Sequence, residues 1–288
     1  VAVSLSAKAE NYWWNGASTT DTNYNTPANW GSENGSSYPG SEDGAMFLVD
    51  AKSKTVTFNS SYTPSWAWVN TGSLENPVIW DASSSEFGMT TIWNIGLADN
   101  SDQTGALQIA SGLYTAGGAF RIGIEGKAAF TMTDGTLVST GVSEWGTTNA
   151  TISSTISGGT IEFNGNGGTD NSNPQAFAAL DMMNGSNIVN TINIAGGTVA
   201  VNGGDLKIGR NDADGTSTTI INISDKGVLS CGTDTTERWL KLGVDGAGAE
   251  TINVNDGGTL AFWFITHTST GTAKLKVNGG TLKFLGTT

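Results

Sequence analysis

The fold is decided by the stretch Ile194-Ala195-Gly196-Gly197-Thr198-Val199-Ala200-Val201, because the same pattern returns along the chain. An alternating apolar segment leads into a Gly-Gly turn, and a second short alternation follows the turn. Further copies begin at Ile156, Val254 and Val277, with degenerate copies at Met132 and Ile223. Neighbouring copies lie 23 to 38 residues apart, which predicts a repeat protein whose similar units stack on one another.

An apolar-x-apolar-Gly unit is interleaved with the first and begins at Phe120, Leu206 and Leu240, with a looser copy at Trp93. Each period therefore holds two or three short alternating strands separated by Gly or Asn turns. This arrangement is typical of one coil of a parallel β-helix. We predict an all-β, right-handed parallel β-helix with an aromatic-rich N-terminal cap. A β-propeller is the weaker alternative, because its blades are longer and four-stranded.

Alignment of the copies predicts which side chains face the core, since side chains on a strand alternate between its two faces. One inward column holds Leu137, Ile161, Val199, Leu229, Leu260 and Leu282, and a second, two residues on, holds Phe163, Val201, Cys231, Phe262 and Phe284. The single thiol is thus interpreted as a core residue, not a reactive one. Asn193, Asn222 and Asn253 form an outward column that we expect to be joined by side-chain hydrogen bonds.

The composition excludes several classes of function. A net charge of -13 repels phosphate backbones and anionic lipid, so we expect no nucleic-acid partner, and without an 18-residue apolar run we expect no membrane insertion. One Cys and one His exclude an internal disulfide, cysteine-rich zinc sites and histidine-based triads. Any chemistry must then rest on carboxylates, Lys or Arg, and we expect no catalytic residues and no cofactor other than a possible Ca²⁺ ion.

Seven of the ten tryptophans lie between residues 11 and 93. A solenoid must close its first coil, so Trp13, Trp14 and Trp30 are interpreted mainly as a hydrophobic plug. The functional alternative is a sugar-binding platform, because indole rings stack on pyranose faces. The candidates are Trp66, Trp68 and Trp80, although the alternation Trp66-Ala67-Trp68-Val69 leaves open which pair is buried.

The opening of the chain resembles a known group of proteins. Trp14-Asn15-Gly16, Ala28-Asn29-Trp30, Tyr38-Pro39-Gly40 and Asp43-Gly44-Ala45-Met46-Phe47 are similar to the start of secreted bacterial proteins with autotransporter-associated β-strand repeats, often of the PEP-CTERM type. The Gly-Gly-Thr and apolar-x-apolar-Gly units resemble the same group. The resemblance implies a right-handed β-helix, export through a secretory signal, and a structural or adhesive role at the cell surface or in the extracellular matrix. It supplies no catalytic residues, and the PEP-CTERM tail is missing here.

Three parts are predicted along the chain. Residues 1–10 are an N-terminal strand or the remnant of a signal peptide, residues 11–90 are the aromatic cap with the first coils, and residues 91–288 are the glycine-rich repeats. Val1, Val3 and Leu5 alternate as a half-buried strand would, and either the solenoid itself or a neighbouring subunit must cover them. The last coil lacks a polar cap at Phe284 and Leu285, so we expect a homo-oligomer or a filament built end to end.

Two chemical alternatives rest on charged residues. Asp212 and Asp214 in a glycine turn are candidate Ca²⁺ ligands, although Asx turns use the same residues without a metal. Arg121, Lys207 and Lys241 share an outward position and are interpreted as solubilising charges. A polysaccharide lyase, which needs such a cation as its base, is a minor alternative. The main prediction is a non-enzymatic, extracellular structural or adhesive solenoid, and the alternative is a carbohydrate-binding module.

Overall fold

A computed structural model describes residues 9–32, 37–48, 51–71, 75–97, 104–165, 178–210, 215–244, 246–268 and 270–286. Its strands are β1 (Asn11–Trp14), β2 (Trp30–Ser32), β3 (Gly44–Phe47), β4 (Thr55–Thr57), β5 (Trp66–Val69), β6 (Val78–Met89), β7 (Trp93–Leu97), β8 (Thr104–Ala116), β9 (Phe120–Ile124), β10 (Lys127–Met132), β11 (Thr136–Ser139), β12 (Ser143–Thr147), β13 (Thr151–Ile156), β14 (Thr160–Phe163), β15 (Ala178–Asn184), β16 (Val189–Ala195), β17 (Thr198–Val201), β18 (Asp205–Arg210), β19 (Thr218–Ser224), β20 (Val228–Cys231), β21 (Trp239–Leu242), β22 (Ala249–Asn255), β23 (Thr259–Phe262), β24 (Phe264–His267), β25 (Thr272–Asn278) and β26 (Thr281–Phe284). One turn of 3-10 helix, Pro27–Asn29, precedes β2.

The strands stack in parallel into a β-solenoid of about seven turns, which confirms the predicted β-helix and makes the propeller alternative wrong. Each complete coil has three sides. Side 1 is one sheet in the order β2-β1-β3-β5-β7-β9-β12-β15-β18-β21-β24. Side 2 runs from the first half of β8 through β10, β13, β16, β19 and β22 to β25, and side 3 runs from its second half through β11, β14, β17, β20 and β23 to β26. β8 turns the corner between them at Gly112, whose φ is +99°.

Both predicted inward columns are present in register on side 3. Leu137, Ile161, Val199, Leu229 and Leu260 are successive Cα partners and are fully buried or nearly so. Cys231 stands between Val201 and Phe262 in the second column and has no exposed surface. The thiol is therefore a core residue, as predicted.

The aromatic cap closes the first coil. β2 lies antiparallel to β1 and covers its edge, and the rings of Trp14 and Trp30 meet edge to face with centroids 5.2 Å apart. Trp30 also packs on the buried Tyr24, at 5.0 Å. Trp13 is different, because it points outward and lies against Gly31, where a Cβ atom would come within 2.1 Å of its ring. The plug prediction is thus right for Trp14 and Trp30 but wrong for Trp13.

Trp80 was predicted to belong to a sugar platform, and this prediction is wrong. β6 turns the side chain inward, where it is completely buried and stacks on Trp93 with a centroid distance of 4.8 Å and an interplanar angle of 12°. Further rings surround it, among them Phe47, Phe58 and Phe87. Trp80 therefore belongs to the aromatic core inside the first coils.

The last described coil, β24 to β26, exposes side chains that earlier coils bury. Phe284 is 69% exposed, whereas its partner Phe262 in the preceding coil is 2% exposed. Leu285 was also predicted to lie on this open surface, but it is only 5% exposed, and its N–H donates to the carbonyl of Phe262, which continues the ladder between β23 and β26. Val1, Val3 and Leu5 lie outside the described residues. Within the described part of the chain, no helix has the length and apolar character that a membrane crossing requires.

Candidate functional site

The outer surface of side 1 carries two neighbouring tryptophans on β5. Ala67 and Val69 are 0% and 1% exposed, so this pair faces the core and Trp66 and Trp68 face outward, each half-buried. The sequence left this choice open. The small Ala67 is the inward residue because its partner in the next coil, Trp93, fills the interior there.

The two indole rings form one continuous surface, which we call the Trp66/Trp68 platform. Their centroids lie 4.6 Å apart and their planes are inclined by 39°. Trp66 lies flat over Gly44 of β3, where a Cβ atom would come within 1.9 Å of the indole ring. Glycine at this position is therefore what allows the ring to rest on the sheet, since any larger side chain would lift it into the solvent.

A shallow groove of about 190 Å³ runs beside the platform and is lined by Trp66, Trp68, Thr91, Ile92 and Asn94. Its surface is mostly apolar. Asn94 is the next residue after Trp68 along its column and is 7% exposed. Its side-chain Oδ1 is buried and finds no hydrogen-bond partner among the described residues. A buried acceptor without a partner costs free energy, so the Asn94 side chain would gain a hydrogen bond by turning its amide into the groove towards a ligand that brings a donor.

Thr91 is held in place by a hydrogen bond from its hydroxyl to the carbonyl of Ser65, at 2.7 Å. Sequence reasoning missed Thr91, Ile92 and Asn94. The signal that identifies Asn94 is its place in the unit Trp93-Asn94-Ile95-Gly96, whose second position faces outward. Nothing in the sequence shows that its carbonyl oxygen lacks a partner.

Beyond Asn94 the same outward column is charged. Arg121, Glu144, Asp181, Lys207 and Lys241 are consecutive Cα partners, so the three cations do share one column as predicted. Glu144 and Asp181 stand between them, however, and no continuous basic stripe exists. Arg121 pairs with Glu144 at 2.9 Å and Lys241 with Asp205 at 2.7 Å. The interpretation of the three cations as solubilising surface charges is therefore wrong for Lys207, which is only 3% exposed.

The Ca²⁺ candidates Asp212 and Asp214 lie outside the described residues. Across the residues that the structure does describe, no group of three or more His, Cys, Asp and Glu side chains is arranged to hold a metal ion.

One exposed aromatic pair was missed by sequence reasoning. Trp239 at the start of β21 and Phe264 at the start of β24 are 42% and 36% exposed and stack on each other. The signal in the sequence is that Trp239 directly precedes the inward Leu240, because neighbouring side chains on a strand point to opposite faces.

No family model, curated protein or solved structure matches this chain.

Proposed function

We propose that this chain is a non-enzymatic, extracellular adhesive β-solenoid that binds polysaccharide through the Trp66/Trp68 platform. The observation that carries the proposal is the pair of outward indoles beside the unpartnered Oδ1 of Asn94. A pyranose ring has an apolar C–H face and a rim of hydroxyl groups. The indoles match the face, and the Asn94 amide, once turned into the groove, accepts a hydrogen bond from the rim.

The shape and charge of the site narrow the ligand. The groove is open along the surface, which suits an internal stretch of a polymer better than a single enclosed sugar. The net charge of -13 disfavours polyuronates and sulfated glycans through long-range repulsion. A neutral polysaccharide is the ligand class that fits both features.

The extracellular setting rests on the resemblance of the opening segments to secreted repeat proteins. A glycine-rich composition with few charged residues and little helix-forming sequence is compatible with a matrix protein of this kind. Adhesion then follows from binding, since a rigid solenoid presents its platform at a fixed place on a long surface.

Affinity electrophoresis in gels that contain xylan, galactomannan or a mixed-linkage β-glucan tests the proposal. At least one polymer should retard the wild-type chain. The double variant with Trp66→Ala and Trp68→Ala should bind that polymer about tenfold or more weakly, which corresponds to a loss of about 1.4 kcal/mol of binding free energy. Leu113→Ala is the matched control, because Leu113 is an exposed apolar side chain at 38% on another side of the solenoid. Unchanged retardation of the double variant would show that the platform does not bind the polymer.

A specific observation favours self-association as a second function. The exposed last coil carries Lys274, Lys276 and Lys283, and the sequence from Gly257 onward has no acidic residue. The described part of the opening, residues 9–32 and 37–48, has Glu10, Asp21, Glu42 and Asp43 and no Lys or Arg. We propose that the last coil of one copy stacks on the acidic first coil of the next.

Light scattering after size exclusion tests this stacking at low and high salt. The apparent mass should rise with concentration at low salt and fall when salt is added, since dissolved ions screen the attraction between exposed charges beyond a Debye length of about 8 Å at physiological salt. Phe284→Asp and the charge reversal Lys276→Glu should each abolish the rise, while Lys127→Glu on side 2 should leave it unchanged. A monomer at all concentrations would contradict this proposal and leave polysaccharide binding unaffected.

A further inference from the structure

The exposed pair at the far end of side 1 occupies the same outer row as the Trp66/Trp68 platform. Side 1 has an inward column that includes Ala67, Trp93, Leu206 and Leu240. Trp66 directly precedes Ala67 and Trp239 directly precedes Leu240, so the two tryptophans lie in the same outward row. Six strand-to-strand steps separate β5 from β21, which corresponds to about 29 Å at a spacing of about 4.8 Å per step. Side 1 thus carries an aromatic surface near each end.

The second surface consists of Trp239 and Phe264, which are Cα partners in adjacent coils. Their ring centroids lie 4.6 Å apart and their planes are inclined by only 26°, so the two rings form a nearly flat plate. Apolar plates of this size are ordinarily covered in the folded state. Here both rings keep more than a third of their surface in the solvent.

A polar cleft of about 310 Å³ opens beside this plate and is lined by Gly203, Gly204, Asp205, Glu237, Arg238, Trp239 and Lys241. Two of these groups are fixed before any ligand arrives. The carboxylate of Asp205 accepts hydrogen bonds from the backbone N–H of Trp239 at 3.0 Å and from the ammonium of Lys241 at 2.7 Å. Arg238 donates from Nε to the carbonyl of Asn202 at 3.0 Å and from Nη1 to the carbonyl of Glu237 at 2.9 Å.

These hydrogen bonds orient the guanidinium group of Arg238 and the carboxylate of Asp205, so a ligand does not have to order them. Two cations and two carboxylates line the cleft, and its formal charge is therefore zero. The exposed carboxylate of Glu237 accepts hydrogen bonds, while Arg238 and Lys241 donate them. A neutral, hydroxyl-rich ring with one apolar face matches both the plate and the cleft.

We propose that Trp239, Phe264, Glu237 and Arg238 form a second saccharide site that binds a neutral pyranose unit. This site rests on its own geometry and does not require the Trp66/Trp68 platform to bind sugar. If both sites bind, a long neutral polysaccharide engages the solenoid at two points about 29 Å apart, which raises the affinity for the polymer over that for a short oligomer.

Isothermal titration calorimetry with cellohexaose, laminarihexaose, xylohexaose and mannohexaose tests the proposal on the full chain. At least one of these neutral hexasaccharides should bind, and Trp239→Ala should remove one binding event per chain. Glu237→Gln removes only a charge from an exposed side chain and should weaken the same event several-fold. Thermal unfolding and far-ultraviolet circular dichroism of both variants should match those of the wild type, because Trp239 and Glu237 are exposed.

The outcomes separate the two sites. Loss of one event in Trp239→Ala, with another event lost only in the Trp66→Ala and Trp68→Ala double variant, supports both sites. An event lost in Trp239→Ala while the double variant behaves as wild type supports the second site and contradicts the platform. Binding that is unchanged in Trp239→Ala and Glu237→Gln overturns the second site, as does failure of every hexasaccharide to bind the wild type.

Discussion

The asparagine column of side 2 shows how single side chains hold neighbouring coils together. The amide of Asn222 donates to Oδ1 of Asn193 at 2.9 Å, and the amide of Asn253 donates to Oδ1 of Asn222 at 2.8 Å. The three residues are also Cα partners, so the side-chain bonds run parallel to the backbone ladder. A shift of register by one residue would break all of these bonds at once, and the column therefore favours the observed register.

The position of each asparagine in this column predicts its contribution to stability. Asn222→Ala removes two hydrogen bonds and should lower the free energy of unfolding by about 2 kcal/mol, whereas Asn253→Ala removes one and should lower it by about 1 kcal/mol. Urea unfolding followed by circular dichroism measures both values. Equal losses in the two variants would contradict a contribution that scales with the number of side-chain hydrogen bonds.

Cys231 gives a prediction for alkaline pH. Burial raises the pKa of its thiol from an ordinary value of 9.0 to about 12. The unfolded chain therefore loses this proton at a lower pH than the folded chain does. The resulting stability is fully present below pH 9 and is lost as the pH rises towards 12.

The melting temperature measured from pH 8 to pH 11 should therefore fall more steeply for the wild type than for Cys231→Val, which places the residue of the neighbouring Val201 in the same column. Burial also raises the pKa of Tyr24 and Tyr114, so both chains lose some stability, and the difference between them isolates the thiol. A thiol reagent at pH 8 should label the native wild type only after denaturant is added. Rapid labelling without denaturant would contradict a buried thiol.

The Gly-Gly turn is the element that makes the coils stack closely. Gly159 lies between β13 and β14 with φ of +72°, and a Cβ atom there would come within 2.6 Å of the carbonyl oxygen of Gly135 in the coil before it. One glycine of the pair also has positive φ in the copies at Gly196, Gly257 and Gly279. The repeat therefore requires glycine for two reasons, backbone conformation and the short distance between coils.

Gly159→Ala should consequently destabilise the protein by about 2 kcal/mol or more, since the left-handed conformation alone costs a residue with a Cβ about 1–2 kcal/mol. Chemical denaturation measures the change. Gly286→Ala is the matched control, because its new Cβ would meet Trp263 at an ordinary contact distance of 3.7 Å. Similar losses in the two variants would argue against packing between coils as the reason for the motif.

For the strands, the sequence predicts which side chains share a column better than it predicts which aromatic side chains are exposed. The inward columns and the asparagine column could be predicted because a two-residue period and glycine turns fix which side chains share a row. The exposure of Trp66 and Trp68 could not, because either half of Trp66-Ala67-Trp68-Val69 is apolar enough to be buried. The burial of Trp80 could not be predicted either, because it depends on contacts with aromatic rings from other strands.

The side chains that fill the core change along the solenoid. The first coils enclose a dense aromatic cluster that includes Trp80, Trp93 and Phe87, whereas later coils are filled by columns of Ile, Leu and Val, and the last coil is open. In a solenoid each coil contacts only its neighbours, so stability is close to a sum of local terms. The aromatic end should therefore unfold last and the open end first.

Removal of residues 264–288 tests this gradient. The shortened chain should remain folded, with the near-ultraviolet circular dichroism of the stacked Trp80 and Trp93 unchanged, because the deleted strands pair with β21, β22 and β23, several coils away from those rings. By contrast, Trp80→Ala should lower the free energy of unfolding by about 3–5 kcal/mol and abolish that signal, since it leaves a large cavity among packed rings.

Hydrogen exchange of the full chain should show β24 to β26 exchanging before β5 to β8. Complete unfolding of the shortened chain would mean that the coils fold as one cooperative unit. If it stays folded, it also separates the two proposed saccharide sites, because it keeps Trp66 and Trp68 and lacks Phe264.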